Sequence, residues 1–153
     1  MPPSRIIHLL VAVHLVASGV HGWRHLHTGV PTTLVQNVFI STVIIAIPLL
    51  AAALIALRRL RLGYALLLLS MAGSLVFGIV FHFVADTPDS VVNVCGAGAR
   101  MFLVSAVLLA LLELMGTVWA AYCWRRLVTH RSGGRHSVLA EQRRPSAHRF
   151  WSL

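Results

Sequence analysis

The chain has 153 residues, of which 58% are hydrophobic and only 11% carry a charge, and its mean hydropathy is +0.81. These values exclude a soluble domain of ordinary composition as well as a disordered chain. The formal net charge of +9 comes from 13 basic residues, all of them arginine, which lie almost entirely outside the apolar runs. The surface of a membrane explains this distribution of charge, and no nucleic-acid partner is expected.

Four apolar runs follow one another: Ile6 to Trp23, Leu34 to Leu57, Leu62 to Ala85 and Met101 to Trp124. Each is close to the roughly 20 residues that a helix needs to cross the hydrocarbon core. We predict an all-α integral membrane protein in which residues 1–124 form one antiparallel four-helix bundle. The predicted helices cover residues 6–27, 34–57, 62–85 and 100–124.

The arginines predict the orientation of this bundle. Eleven lie on one side, in the N-terminal segment, the loop between helices two and three, and the tail, whereas the other side carries only Arg24 and Arg100. The positive-inside rule therefore places both termini in the cytoplasm, an N-in/C-in topology. We expect a bacterial or archaeal plasma-membrane protein whose basic tail, residues 125–153, is disordered in isolation and binds anionic lipid headgroups. A homo-oligomer or a subunit of a larger membrane complex is expected.

Local signals mark the ends of the predicted helices. Pro31 ends helix one, and Thr32 or Thr33 can cap helix two. Pro48 lies inside the second run, where it would kink the helix or free a carbonyl. One alternative concerns the start of the chain: Arg5, the following apolar run and the small residues 17–19 also resemble a cleaved signal peptide, which would leave three helices.

Polar residues in helices one and three recur at helical spacing. His14, Ser18, His21 and His25 follow one another at steps of four, three and four, whereas Ser70, Ser74, Gly78, His82 and Asp86 follow at steps of four. Such spacing places each set on one face of its helix. Small residues on one face indicate close packing against another helix, so both sets are predicted to point into the bundle.

This convergence predicts a transition-metal site on the outer face, with His21, His25, His82 and Asp86 as ligands. Histidines at positions i and i+4 can hold one ion from a single helical face, and imidazole with carboxylate suits zinc, copper or iron. His27 and Asp89 are candidates to orient the ligands through their second ring nitrogens. Metal handling or redox chemistry at the membrane surface would follow from such a site.

Two other interpretations of the histidines stay open. His82 could pair with His21 or His25 as axial ligands of a haem, which would make the protein a haem-binding anchor or electron-transfer subunit. The polar groups could instead sit passively at the headgroup boundary, in an accessory subunit that stabilises a larger membrane complex. The sequence has no Walker A, G-x-G-x-x-G or C-x-x-C motif, so no particular reaction is indicated.

Glu113 lies in the middle of helix four, on a face of small residues that is predicted to pack against helix one near His14. A buried carboxylate must be paired or protonated. His14 and Glu113 are therefore either a proton relay between the outer site and the cytoplasm or a contact that locks the helices together. In the second case Glu113 would bond to Ser18 and Thr117.

Overall fold

A computed structural model describes the backbone of residues 3–142 and the side chains of residues 5–129. Within this part, the chain forms four helices and the loops between them: α1 at Pro3–Thr28, α2 at Leu34–Ala56, α3 at Leu60–Val84 and α4 at Ala99–Gln142. Each helix contains a stretch that is long and apolar enough to cross a membrane. The predictions of an all-helical fold and of four candidate membrane spans are confirmed.

The helices pack as an antiparallel bundle. Along α1 and α4, Leu10 contacts Gly116 and His21 contacts Ser105, so the two helices run in opposite directions. α4 also packs against α3, α3 packs against α2, and the Ile47–Ala56 part of α2 packs against α1. α1 and α3 therefore face each other across the diagonal of the bundle, and side chains from both can meet in its interior.

The half of the bundle nearest the α2–α3 connection is filled by apolar side chains, which we call the apolar core. Its buried members are Ile7, Leu10, Val11, Ala51, Ile55, Tyr64, Leu67, Met71, Ala120 and Cys123. Gly63 allows α2 and α3 to approach closely, since a Cβ atom there would lie 2.6 Å from Cγ1 of Ile55. This half packs like the interior of a soluble helical bundle.

Both α2 and α3 contain a π-helical segment in the other half of the bundle. In α2 it covers Ile40–Ala46, directly before Pro48, and the amide of Ile47 donates to the carbonyl of Thr42 five residues back. Proline cannot donate a backbone hydrogen bond and crowds the preceding turn, so the wider turn accommodates it. Pro48 thus interrupts the regular helix, as its position in the sequence predicts.

The second π-helical segment, Val80–Val84, ends α3, and Ala85 is already extended with φ −79° and ψ 139°. Residues 85–98 then turn back over the end of α3, where the amide of Val91 donates to the carbonyl of His82 over 2.9 Å. The predicted four-residue strip therefore stops at His82, and Asp86 does not belong to the helix. This loop builds one side of the site described below.

The fourth helix is longer than the sequence predicts. It continues without interruption past Trp124 to Gln142, whereas disorder was expected from residue 125 onward. Residues 125–142 contain no proline, so a helix that has already begun can propagate through this stretch despite the Gly133–Gly134 pair. Residues 143–153 of the predicted tail lie outside the described part of the chain.

Candidate metal centre

Three imidazoles meet in the interior of the bundle, and we call them the histidine cluster: His21, His25 and His82. His21 and His25 lie one turn apart on α1, and His82 reaches them from the π-helical end of α3. The Nε2 atom of His21 lies 3.2 Å from Nε2 of His82 and 3.2 Å from Nε2 of His25. All three residues are less than 10% exposed. Their candidate ligand atoms lie within 4.8 Å of one another, close enough to hold one metal ion.

The second nitrogen of each ring faces an oxygen atom. Nδ1 of His21 lies 2.8 Å from the hydroxyl of Ser105, and that hydroxyl itself donates to the carbonyl of Phe102. Nδ1 of His82 donates to the backbone carbonyl of Asp89 over 2.9 Å. Nδ1 of His25 lies 3.5 Å from Oδ1 of the Asp89 carboxylate. The outer partners of His21 and His82 are hydrogen-bond acceptors, whereas His25 faces the Asp89 carboxylate at ion-pair distance without a hydrogen bond between these two atoms.

These partners determine where the ring protons sit. A neutral imidazole carries one N–H, and a carbonyl, a carboxylate or a hydroxyl whose proton is already donated can only accept a hydrogen bond. The protons of His21 and His82 are thus assigned to Nδ1, and the Asp89 carboxylate favours the same tautomer for His25, which leaves a lone pair on each Nε2. Nε2 of His21 lies 3.2 Å from Nε2 of each of the other two rings, and lone pairs this close repel unless a cation lies between them. This is the arrangement in which metal-binding histidines are oriented by acceptors on their outer nitrogens.

Asp89 is itself held by the beginning of α2. Nε2 of Gln36 donates to Oδ2 of Asp89 over 2.7 Å, and Oε1 of Gln36 accepts from the amide of Thr33. Thr33 and Gln36 form a capping box, in which each side chain bonds the backbone of the other. The predicted cap at Thr33 is present. The role of Gln36 was missed, although the Thr33-x-x-Gln36 spacing carries the capping-box signal.

Phe102 closes the histidine cluster on the α4 side. Its ring is fully buried, and its centroid lies 4.9 Å from those of His21 and His25 and 5.6 Å from that of His82. A buried aromatic wall excludes water from that side and restricts the rotation of the imidazoles. Neither Phe102 nor Ser105 was identified from the sequence, because the apolar run of helix four does not indicate which of its residues face the histidines.

Two predicted site residues lie elsewhere. Asp86 is exposed in the loop after α3 and accepts a hydrogen bond from Asn93 over 2.8 Å. Its placement follows from the end of α3 at Val84, which breaks the four-residue spacing before Asp86. His27 is exposed and stacks on Trp23 with centroids 5.5 Å apart, since it lies about 200° around α1 from His25. The carboxylate beside the cluster is Asp89, which was predicted to orient a ligand.

A cavity of about 70 Å³ extends from the histidine cluster into the bundle. The cluster and Asp89 line one end of it, and Ser74 and Glu113 line it deeper in the bundle. The walls between these ends are apolar or small and include Ile44, Phe77, Gly78, Ala106, Leu109 and Ala110. This volume has room for a few water molecules or for part of a small ligand. The cavity joins the two polar sites that the sequence predicts.

At the deep end, Glu113 joins three helices. Its Oε1 accepts a hydrogen bond from Ser74 of α3 and lies 3.4 Å from Nε2 of His14 on α1. His14 and Glu113 are almost completely buried. The expected bonds from Ser18 and Thr117 to the carboxylate are not formed, because these hydroxyls donate to the backbone carbonyls four residues before them. The hydroxyl that bonds the Glu113 carboxylate is therefore that of Ser74, beside the imidazole of His14.

Comparison of the chain with family models, with curated proteins and with solved structures finds no match. The functional argument therefore depends on the geometry of the site.

Proposed function

We propose that the histidine cluster binds one transition-metal ion and that this ion acts on a ligand in the adjoining cavity. The observation that carries the proposal is the convergence of three Nε2 atoms, with an acceptor on the opposite nitrogen of His21 and His82 and the Asp89 carboxylate facing that of His25. Three histidines leave a coordination position open, as in catalytic zinc sites. Zinc, copper and iron all accept imidazole ligands. Because one coordination position stays open, the site suits Lewis-acid or redox chemistry more than structural zinc binding, which uses four protein ligands.

The geometry favours a bare ion over a haem. Two axial imidazoles on one iron need their nitrogens about 4 Å apart, at roughly 2 Å each from the metal, with the macrocycle between them. The Nε2 atoms of His21 and His82 are 3.2 Å apart, and His25 and Phe102 occupy the space around them. A macrocycle would have to separate α1 from α3 and displace Phe102. The same three nitrogens need only small shifts to surround a single ion.

Metal analysis of the purified full-length chain tests this proposal. After incubation with zinc, copper or iron and removal of free metal, we expect one tightly bound ion per chain. His82→Ala should abolish this binding, whereas His27→Ala, which removes an exposed histidine outside the cluster, should leave it unchanged. Absence of bound metal under all three conditions would overturn the proposal, and a Soret band would replace the bare ion with haem.

We further propose that Glu113 and His14 exchange protons with the metal site through the cavity. Glu113 lines the cavity, and His14 lies one helical step of seven residues, about 10 Å, from His21 along α1. Nδ1 of His14 is buried without a hydrogen-bond partner among the described residues, whereas Nε2 faces Glu113. A chain of water between Glu113 and the metal would complete the relay. Locking of the helices is the competing role of Glu113.

For the membrane placement we propose that the arginine-rich end faces the cytoplasm, where the basic tail binds anionic lipids, and that the histidine cluster lies towards the outer surface. Cys95 is exposed in the loop after α3, whereas Cys123 is buried in the bundle. A membrane-impermeant maleimide should therefore label Cys95 in intact cells, and Cys95→Ser should remove the signal. Labelling of Cys95 only after the cells are opened would reverse the orientation.

A further inference from the structure

The cavity is closed at the histidine end of the bundle. The loop after α3 folds over His82, and Asp89 is bonded to Gln36 at the start of α2. The α3–α4 loop also packs closely against the end of α1, since a Cβ atom on Gly98 would lie 2.7 Å from Cγ2 of Thr28. These contacts cover the route from the aqueous phase to the histidine cluster.

The cavity is far less closed on the side between α1 and α2. α1 packs against α2 mainly through the Ile47–Ala56 part, which lies in the half of the bundle that holds the apolar core. Nearer the histidine cluster, the cavity wall on this side includes Gly22 and Ile40, together with Ser18, Thr32 and Ile44. A Cβ atom placed on Gly22 would meet no other atom within 4 Å. We call this gap the lateral opening.

The lining of the cavity defines the ligand that would use this opening. The surface that a ligand meets beyond Gly22 and Ile40 is mostly apolar, and polar groups occur at the histidine cluster with Asp89, at Ser74 and Glu113, and at Ser18 and Thr32. The outer surfaces of α1 and α2 beside the opening are apolar as well, with Val38 and Trp23 more than half exposed. In a bilayer these surfaces face lipid, because a span of this composition is stable only in hydrocarbon.

We propose that a lipid-soluble small molecule with an apolar body and a hydroxyl group, of the alkylphenol or hydroquinone class, enters from the membrane between α1 and α2. Its oxygen takes the open position on the metal ion, and its apolar body lies along Ile40, Ile44 and Phe77. This inference rests on the proposed metal site and names the class of ligand that the site takes. A ligand of this class is concentrated in the bilayer beside the opening, and its apolar body matches the apolar walls, whereas a water-soluble one is not held at the opening.

The test uses the full chain in nanodiscs of neutral phospholipid, loaded with Co²⁺, whose visible absorption reports its ligands. The probe is 4-octylphenol, and 4-hydroxybenzenesulfonate is the water-soluble control with the same phenol group. We expect octylphenol to change the Co²⁺ spectrum saturably and the sulfonate to have no effect at equal total concentration. Bound Co²⁺ is measured separately, so that metal binding and ligand binding are read independently.

A matched pair of variants locates the route of entry. Gly22→Leu fills the lateral opening, whereas Gly19→Leu adds the same side chain one turn earlier on α1, where a Cβ atom also meets nothing within 4 Å and which does not line the cavity. Both should retain stoichiometric Co²⁺. The rate at which octylphenol changes the Co²⁺ spectrum should fall about tenfold or more in Gly22→Leu, because the leucine side chain obstructs the opening, and stay unchanged in Gly19→Leu.

Each outcome supports or overturns either the ligand inference or the metal site. Bound Co²⁺ with no response to octylphenol overturns the ligand inference and leaves the metal site intact, whereas no bound Co²⁺ overturns both. An equal response to the sulfonate, or equal rates of response to octylphenol in the two leucine variants, shows entry by another route and overturns the lateral opening. Ile40→Trp narrows the same opening from the α2 side, and the response to octylphenol is measured in this variant if Gly22→Leu fails to fold.

Discussion

The two halves of the bundle are built on different principles. Around Gly63 and Met71 the four helices enclose an apolar core with close helix contacts. Around the histidine cluster the same helices enclose imidazoles, carboxylates and a cavity, and two of them contain π-helical turns. Burying polar groups opposes folding unless they are fully paired, whereas close packing of apolar side chains stabilises the contacts between helices even in lipid. The apolar half therefore stabilises the bundle, and the polar half is retained for another reason.

The irregular turns fit this division. Both π-helical segments, Ile40–Ala46 and Val80–Val84, contribute residues that line the cavity. A π-helical turn widens the helix and redirects the side chains that follow, and such turns occur frequently at functional sites. In α3 the wide turn carries His82 itself, which it presents to the two histidines of α1. The helices depart from regular geometry where the proposed chemistry takes place.

Among substitutions that affect only one half of the bundle, the largest effect on stability is expected at Gly63. Gly63→Leu would force a side chain against Ile55 and the backbone of Ala51, and overpacking of this kind costs about 1–3 kcal/mol or more. The free energy of unfolding in detergent should fall by that amount, while the folded fraction still binds metal. Gly73→Ala is the control, since its Cβ atom would lie at an ordinary 3.6 Å from Cγ1 of Val43. Equal stability of the two variants would show that the apolar half does not hold the bundle together.

In the polar half, the next largest effect is expected at Asp89. Asp89→Asn keeps an oxygen for Gln36 but removes the negative charge that faces His25. Loss of such an outer partner lowers metal affinity about 10–100-fold, which competition with a chelator measures. The free energy of unfolding of the metal-free protein should change far less than in Gly63→Leu. An unchanged affinity would remove Asp89 from the metal centre and weaken the assignment of the ring protons.

Glu113 tests whether a buried polar group serves the bundle or the site. Glu113→Gln keeps a hydrogen-bond partner for Ser74 and His14, whereas Glu113→Leu leaves both without one. An unsatisfied buried group costs about 1–3 kcal/mol, so the leucine variant should unfold more easily than the glutamine variant. If Glu113 relays protons, the glutamine variant should assemble and bind metal normally but lose proton uptake coupled to the metal centre. Full proton uptake in Glu113→Gln would reduce this residue to a helix contact.

The positions of the buried histidines can be predicted from the sequence, because they depend on spacing within single helices. The steps of three and four place His14, His21 and His25 on the buried face of α1, and the structure buries all three. His82 was found in the same way on α3. On a regular α-helix, residues at this spacing share one face, whichever helices pack beside it. The predicted spans agree with the helices for the same reason.

What the sequence does not predict is the part of the site that depends on contacts between distant segments. Asp89 and Gln36 are 53 residues apart and meet only because the loop after α3 folds back over the start of α2. The choice of Asp86 over Asp89 as the nearer carboxylate assumed that α3 continues regularly beyond His82. The π-helical turn and the extended Ala85 end that regularity, and no spacing rule anticipates them.

The smallest effect, and the one that separates the two carboxylates, is expected at Asp86. Asp86→Ala removes an exposed side chain whose described hydrogen bond comes from Asn93, on the same loop. Surface substitutions of this kind change stability by about 0.5 kcal/mol or less, and Asp86 does not line the cavity. Metal affinity, measured by the same chelator competition, should equal that of the unmodified chain while Asp89→Asn loses one to two orders of magnitude. A large loss in Asp86→Ala would mean that metal binding extends the end of α3 and draws this carboxylate into the cluster, as the spacing of the sequence first predicts.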